Sequence, residues 1–192
     1  MTTHYIDLTL LPDPEFSQAH LWRALYAKLH RALVQLQTSA IGVSFPQYQL
    51  KPQTLGQVLR LHGEIAPLEQ LMATDWLKGM RDHVTVASLA PAPAQAPHRI
   101  VQRQQFKTSV ERLRRRRMQR KGETVEQAIA AIPDSMERRP PRLPYVQLRS
   151  SSNGQSFYLW IEQGPLQALP STGRGFNAYG LGQASGDSIP WF

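Results

Sequence analysis

The 192-residue chain contains no cysteine. Disulfide frameworks, thiolate nucleophiles and cysteine-based zinc sites are thereby excluded, and nothing ties it to an oxidising compartment. Its apolar runs are far too short for a membrane span, and the opening MTTHYIDLTL lacks the charged-then-apolar pattern of a signal peptide, so a cytoplasmic location is expected. There is no His-x-x-x-His pair and no phosphate-binding loop or dinucleotide fingerprint. The acids are scattered singly, which argues against a two-metal centre, because such a centre needs several carboxylates converging. Neither a bound metal nor a cofactor is expected.

What the chain does have is a concentrated positive charge. The stretch Arg103 to Lys121, RQQFKTSVERLRRRRMQRK, holds nine of the 22 Lys and Arg residues and one acid, Glu111. Its net charge of +8 equals that of the whole protein, since the 13 basic residues elsewhere meet 13 acidic ones. Local basicity on a neutral background points to a polyanion docking at one place, with nucleic acid the leading candidate. The segment also carries helix signals: Thr108 as N-cap, Glu111 at N3 for a capping box, and Gly122 as a left-handed stop. At 100° per residue Arg112, Arg115, Arg116 and Gln119 share one face, with Val110 and Leu113 roughly opposite. A solvated charge run or localisation signal is the plainer reading of such a patch.

In chain order, His4 to Leu11 alternates as a strand. Asp13 as N-cap and Pro14 at N1 predict a helix to about Gln35, with an apolar stripe of Trp22, Leu25, Tyr26, Leu29, Leu33 and Leu36. Strands at Ile41 to Phe45 and Gln57 to Gly63 follow, then a helical region from Pro67 to about Met80, with a break near Thr74, and a strand at Val84 to Leu89. The order β-α-β-β-α-β is the split βαβ, ferredoxin-like pattern, so an α+β fold is expected with residues 1–90 as a ferredoxin-like domain. The run APAPAQAP over Ala90 to Pro97 reads as a stiff linker, residues 91–97, before a smaller α+β domain over residues 98–192. That second domain should hold a strand at His98 to Gln104, the basic helix and a helix from Thr124 to Ala131. A hairpin of Tyr145 to Ser151 against Gln155 to Glu162 around Asn153-Gly154 should follow, and a last strand near Phe176 to Leu181.

Without a metal site, RNA could still be cut by its own 2′-hydroxyl. That route needs a general base, groups that hold the hydroxyl, and an acid or cation near the scissile phosphate. His30, at the edge of the first helix's apolar stripe, is the best-placed candidate base among the six histidines, although a histidine at such a boundary also suits a structural role.

Several longer motifs run the length of the chain: HYIDLTLLPDPEF at 4–16, KLHRALV at 28–34, IGVSFP at 41–46, ERLRRR at 111–116, LRSSSNGQSF at 148–157, GPLQ at 164–167, YGL at 179–181 and the terminal PWF. Together they resemble the type I-F CRISPR-associated endoribonuclease family, Csy-type enzymes that cut precursor CRISPR RNA beside each repeat hairpin. The resemblance implies that His30 is the catalytic histidine, that Ser150 holds the 2′-hydroxyl nucleophile and that Tyr179 orients the histidine. Taken by themselves, Ser150 and Ser152 could simply cap a strand end, and Tyr179 could be a half-buried aromatic.

The resemblance further implies that Arg103 and Gln105 read base edges at the bottom of the stem, a task suited to Arg on guanine and Gln on adenine. Arg112, Arg115, Arg116 and Arg120 would contact phosphates from the stem's major groove, which is open to long side chains at the end of a short stem. Phe157 would stack beneath the terminal base pair, and Lys107, Gln119 and Ser152 complete the expected RNA-binding set. Gln119 stands where the family often carries another Arg. Expected partners are a CRISPR repeat stem-loop, which the enzyme would not release after cutting, and other Cas proteins of a type I-F surveillance complex. Expected products are a 5′-hydroxyl and a 2′,3′-cyclic phosphate or its 3′-phosphate descendant. The rivals are a non-catalytic RNA-binding subunit and, more distantly, a DNA-binding regulator.

Overall fold

Strand β1, His4–Leu10, buries Ile6, Leu8 and Leu10 and shows the intervening side chains outward, the two-residue period of a half-buried strand. A computed structural model of the chain describes residues 2–105, 110–134, 142–150 and 154–192. The chain folds into two compact units, Met1–Gln104 with Leu143–Phe192, and Gln105–Arg142.

In the first unit, helix α1 spans Gln18–Leu36 and buries Trp22, Leu25, Tyr26, Leu29 and Leu33, as the stripe predicts, with Leu36 partly buried. It starts four residues later than expected. Asp13 accepts from the Glu15 and Phe16 amides (2.8 and 2.9 Å) and pairs with His83, closing a turn of its own. These contacts, the two amides first, hold its carboxyl below the usual range. Ser17 caps the helix instead, accepting from the His20 amide.

Short strands β2 (Gly42–Ser44), β3 (Gln49–Leu50) and β4 (Gln53–Thr54) lead to β5, Val58–Gly63. Helix α2, Ile65–Ala73, ends where Thr74 turns extended and its hydroxyl donates to the Leu71 carbonyl at 2.7 Å. Trp76, Leu77 and Met80 are therefore buried from turns rather than from a continued helix. Strand β6, Val84–Val86, completes an antiparallel sheet in the order β2-β5-β1-β6, and β7, Ala90–Pro91, pairs with β1.

The expected strand at His98 to Gln104 is two pieces, β8 (His98–Arg99) and β9 (Val101–Gln104). Strand β9 joins the hairpin of β10 (Tyr145–Arg149) and β11 (Ser156–Gln163) in a three-stranded antiparallel sheet. Phe176 to Leu181 is not a strand. Its backbone groups close a turn on one another, and the last strand is β12, Ile189–Pro190, paired with β8. One buried cluster takes in Ile6, Leu25 and Leu59 together with Val146, Leu159 and Ile161, and α1 packs on both β1 and β10. Within the core, Ser44 and His62 hydrogen-bond at 2.8 Å, and burial pulls the His62 imidazole down to about 3, keeping it neutral.

The second unit contains α3 (Val110–Lys121) and α4 (Val125–Ala131). Gly122, at φ 66°, adopts the left-handed stop and donates to the Met118 carbonyl at 2.8 Å. Thr124 and Gln127 form a reciprocal capping box at the start of α4. The chain is thus α+β, with antiparallel pairing in every described sheet. Among the described residues no helix is long and apolar enough to cross a membrane.

Candidate active site

His30 sits on the fourth turn of α1, one step round from Tyr26, Leu29 and Leu33, so the helix that anchors the core also fixes the ring's place. Its Nδ1 lies 2.7 Å from the Ala178 carbonyl oxygen. A carbonyl can only accept, so Nδ1 carries the proton and the neutral ring keeps its lone pair on Nε2. Tyr179 stacks flat on the imidazole, with centroids 4.1 Å apart and planes 9° from parallel.

His30 and Tyr179 share a cleft of about 390 Å³ with Ser150 and Phe157. Ser150 follows β10, where its amide donates to the Gln155 carbonyl at 2.9 Å and its own carbonyl accepts from the Gly154 amide at 2.9 Å. Phe157 approaches Tyr179 edge-on at 6.5 Å, and the Arg103 guanidinium lies over the Phe157 ring at 5.4 Å. Residues 127 positions apart in sequence, His30 and Phe157, are thus assembled at one place. Two cations that the sequence reading passed over, Arg31 and Arg149, also line the cleft. Arg31 is signalled only by its place beside His30, and Arg149 only by its place beside Ser150.

In the other unit, the arginines of α3 fall into two sets. Arg114 donates twice to the Ile132 carbonyl (2.8 and 2.6 Å) and pairs with Asp134, while Arg117 pairs with Glu123, whose carboxyl that contact holds below its usual range. Arg112, Arg115, Arg116, Gln119 and Arg120 are exposed along the opposite arc, the face that the helical period predicts. Gln105 is exposed just past β9, while Lys107, Thr108, Ser152 and Asn153 lie outside the described residues.

A family model described as CRISPR-associated protein (Cas_Csy4) matches residues 5–192. The chain belongs to the Cas_Csy4 family. It is similar to the "CRISPR-associated endonuclease Cas6/Csy4" of Pseudomonas aeruginosa (strain UCBPP-PA14), 46% identical over 189 residues that cover 98% of this chain and 99% of the relative. A protein of the same description from Escherichia coli (strain UTI89 / UPEC) is 40% identical with the same coverage. The Csy-type resemblance read from the motifs is therefore the family itself.

What the motifs of this Cas_Csy4 chain did not reveal is how the histidine is held. Asn177 accepts through Oδ1 from the amides of Tyr179 (2.8 Å) and Leu181 (3.2 Å), and the buried Tyr26 hydroxyl donates to the Tyr179 carbonyl at 2.8 Å. Only the Asn-x-x-Gly spacing of 177–180 signalled a turn there.

Proposed function

We propose that this protein is an RNA hairpin-specific endoribonuclease that cuts precursor CRISPR RNA at the base of the repeat stem-loop by attack of the RNA's own 2′-hydroxyl. The observation that carries this reading is the His30 imidazole, with Nδ1 engaged by a carbonyl and Nε2 left as the basic atom, in the same cleft as Ser150. Nε2 takes the proton of the 2′-hydroxyl, which the Ser150 hydroxyl holds, and Tyr179 keeps the ring plane in register. The new O2′–P bond forms as the P–O5′ bond breaks, and the departing 5′ oxygen takes a proton from water, leaving a 2′,3′-cyclic phosphate and a 5′-hydroxyl. Arg31 and Arg149, which line the cleft, balance charge building on the phosphoryl oxygens. No metal has a part in these steps.

Phe157, backed by Arg103, supplies the flat surface on which the terminal base pair of the stem stacks. Arg103 and Gln105 read the base edges at the bottom of the stem, and the exposed arc Arg112, Arg115, Arg116, Gln119 and Arg120 contacts phosphates. Lys107 and Ser152 belong to the same RNA-binding set. After cleavage the protein stays on its hairpin and joins other Cas subunits in a surveillance complex. A ferredoxin-like arrangement of the first sheet is part of this reading. The antiparallel order β2-β5-β1-β6, with α1 and α2 as the two connections, supports it.

The test is cleavage of the repeat hairpin by purified protein in EDTA, with and without a single 2′-deoxy substitution before the cut. Full cleavage in chelator and none of the deoxy substrate is expected, because the substitution deletes the nucleophile. Cleavage of the deoxy hairpin would mean that water attacks and would overturn the mechanism. Tight binding with no cleavage of either RNA would favour a non-catalytic hairpin-binding subunit. Equal binding of the corresponding DNA hairpin would point to a DNA-binding regulator.

A further inference from the structure

The partner that fixes the His30 tautomer is a main-chain oxygen, so something must fix that oxygen. The Ala178 carbonyl sits in the turn Asn177–Gly180, closed by Gly180 N–H to Asn177 O at 2.8 Å and Asn177 N–H to Leu181 O at 2.9 Å. Inside it, Asn177 Oδ1 binds two amides that would otherwise compete for other acceptors. Two contacts dock the turn on the core. The Val43 amide donates to the Gly180 carbonyl at 2.8 Å, and the Tyr26 hydroxyl, wholly buried on α1 one turn before His30, donates to the Tyr179 carbonyl at 2.8 Å. Gly180 has φ +70°, and a Cβ there would lie 2.7 Å from Val43 Cγ1, so the turn is seated directly on β2.

We infer that Asn177 and Tyr26 are positioning residues for the reaction: they hold the turn so that the Ala178 carbonyl meets His30 Nδ1 and the Tyr179 ring lies flat on the imidazole. Neither side chain lines the cleft. Tyr26 and His30 are four residues apart on one face of α1, so the helix that carries the base also carries the anchor of the turn behind it. Moving the turn leaves a buried hydroxyl unpaired, which is a strong restoring force. Losing either side chain lets the carbonyl drift and the imidazole exchange its proton between nitrogens, putting N–H where the lone pair is needed. This inference rests on His30 being the general base.

The experiment measures single-turnover cleavage and Kd for a CRISPR repeat hairpin that the wild-type protein cleaves, thermal melting, and the ¹⁵N imidazole spectrum of His30. Tyr26→Phe and Asn177→Ala should each slow cleavage on the order of tenfold, with Kd changed by less than about twofold. Their spectra should show the Nδ1–H form giving way to a mixture of tautomers. Asn177→Asp should restore the rate, since a carboxylate oxygen still accepts from both amides, and in a His30→Ala background neither change should cost more. Wild-type rates in Tyr26→Phe and Asn177→Ala, an unaltered tautomer, or losses of Kd or melting temperature that match the loss of rate would overturn the positioning role. Robust cleavage by His30→Ala alone would instead remove the base, and the positioning role with it.

Discussion

The cleft around His30 and the basic arc of α3 solve opposite problems. In the cleft the key groups are tied down: the imidazole to a carbonyl, the tyrosine ring to the imidazole, the turn to the core. On α3 the outward arginines are exposed, whereas Arg114 and Arg117, on the inner arc, have their geometry fixed by Ile132, Asp134 and Glu123. Proton transfer is lost when donor and acceptor shift by a fraction of an ångström, whereas attraction to a phosphate falls off gently with distance. On the proposed reading, rigidity is concentrated where bonds would change, and exposed charge where a polyanion would be gripped.

The largest effect should come from breaking the rigid side. His30→Ala is expected to lose about two or more orders of magnitude in cleavage with Kd unchanged, and Tyr179→Phe should fall between it and wild type. A parallel loss of binding would erase the division between chemistry and grip. Next in size, Arg103→Ala or Gln105→Ala should cost roughly 1 to 3 kcal/mol on the cognate hairpin and less on one with its bottom base pairs exchanged. Equal losses on both hairpins would make these residues phosphate contacts.

Acid separates the two units in another way, because all six histidines lie outside residues 105–142. His62 has an ordinary value of 6.5 when unfolded and about 3 when buried, so the native state binds fewer protons and its stability falls as pH drops below 6.5. The loss should reach about 2 kcal/mol at pH 5, measured as the difference between urea unfolding at pH 7 and pH 5. His62→Gln should flatten that difference, and an unchanged slope would acquit this histidine. The smallest effect is expected on α3: Arg115→Ala with Arg116→Ala should flatten the slope of log K against log salt by up to about two units. Arg114→Ala should leave the slope nearly intact and loosen the packing of α3 on α4, seen as faster amide exchange in those two helices. A steeper salt effect from Arg114 than from Arg115 would reverse the assignment of the two arcs.

The parts legible in the sequence were those governed by short-range periodicity. The stripe of α1 and the outward face of α3 follow from a 3.6-residue repeat acting on Leu29 or Arg116 without reference to distant chain. Asp13 misled because a strong N-cap residue can close a turn as readily as a helix, and its His83 partner lies 70 positions away. The segment Phe176 to Leu181 has strand-like residues, but Asn177 and Gly180 turn it back on itself, and Tyr26 and Val43 seat it. Those contacts span some 150 positions and leave no periodic trace. The roles proposed for His30, Ser150 and Tyr179 came from whole motifs, since on spacing alone each also suited a structural use.

The acceptor behind His30 is an atom that no codon specifies. Any residue at position 178 supplies the same oxygen, so a substitution there leaves the acceptor in place as long as the turn keeps its shape. On the proposed mechanism the requirement passes instead to Asn177, Gly180 and Tyr26, which look like scaffolding. Selection on the proposed chemistry would thus be written one step away from the atom it protects.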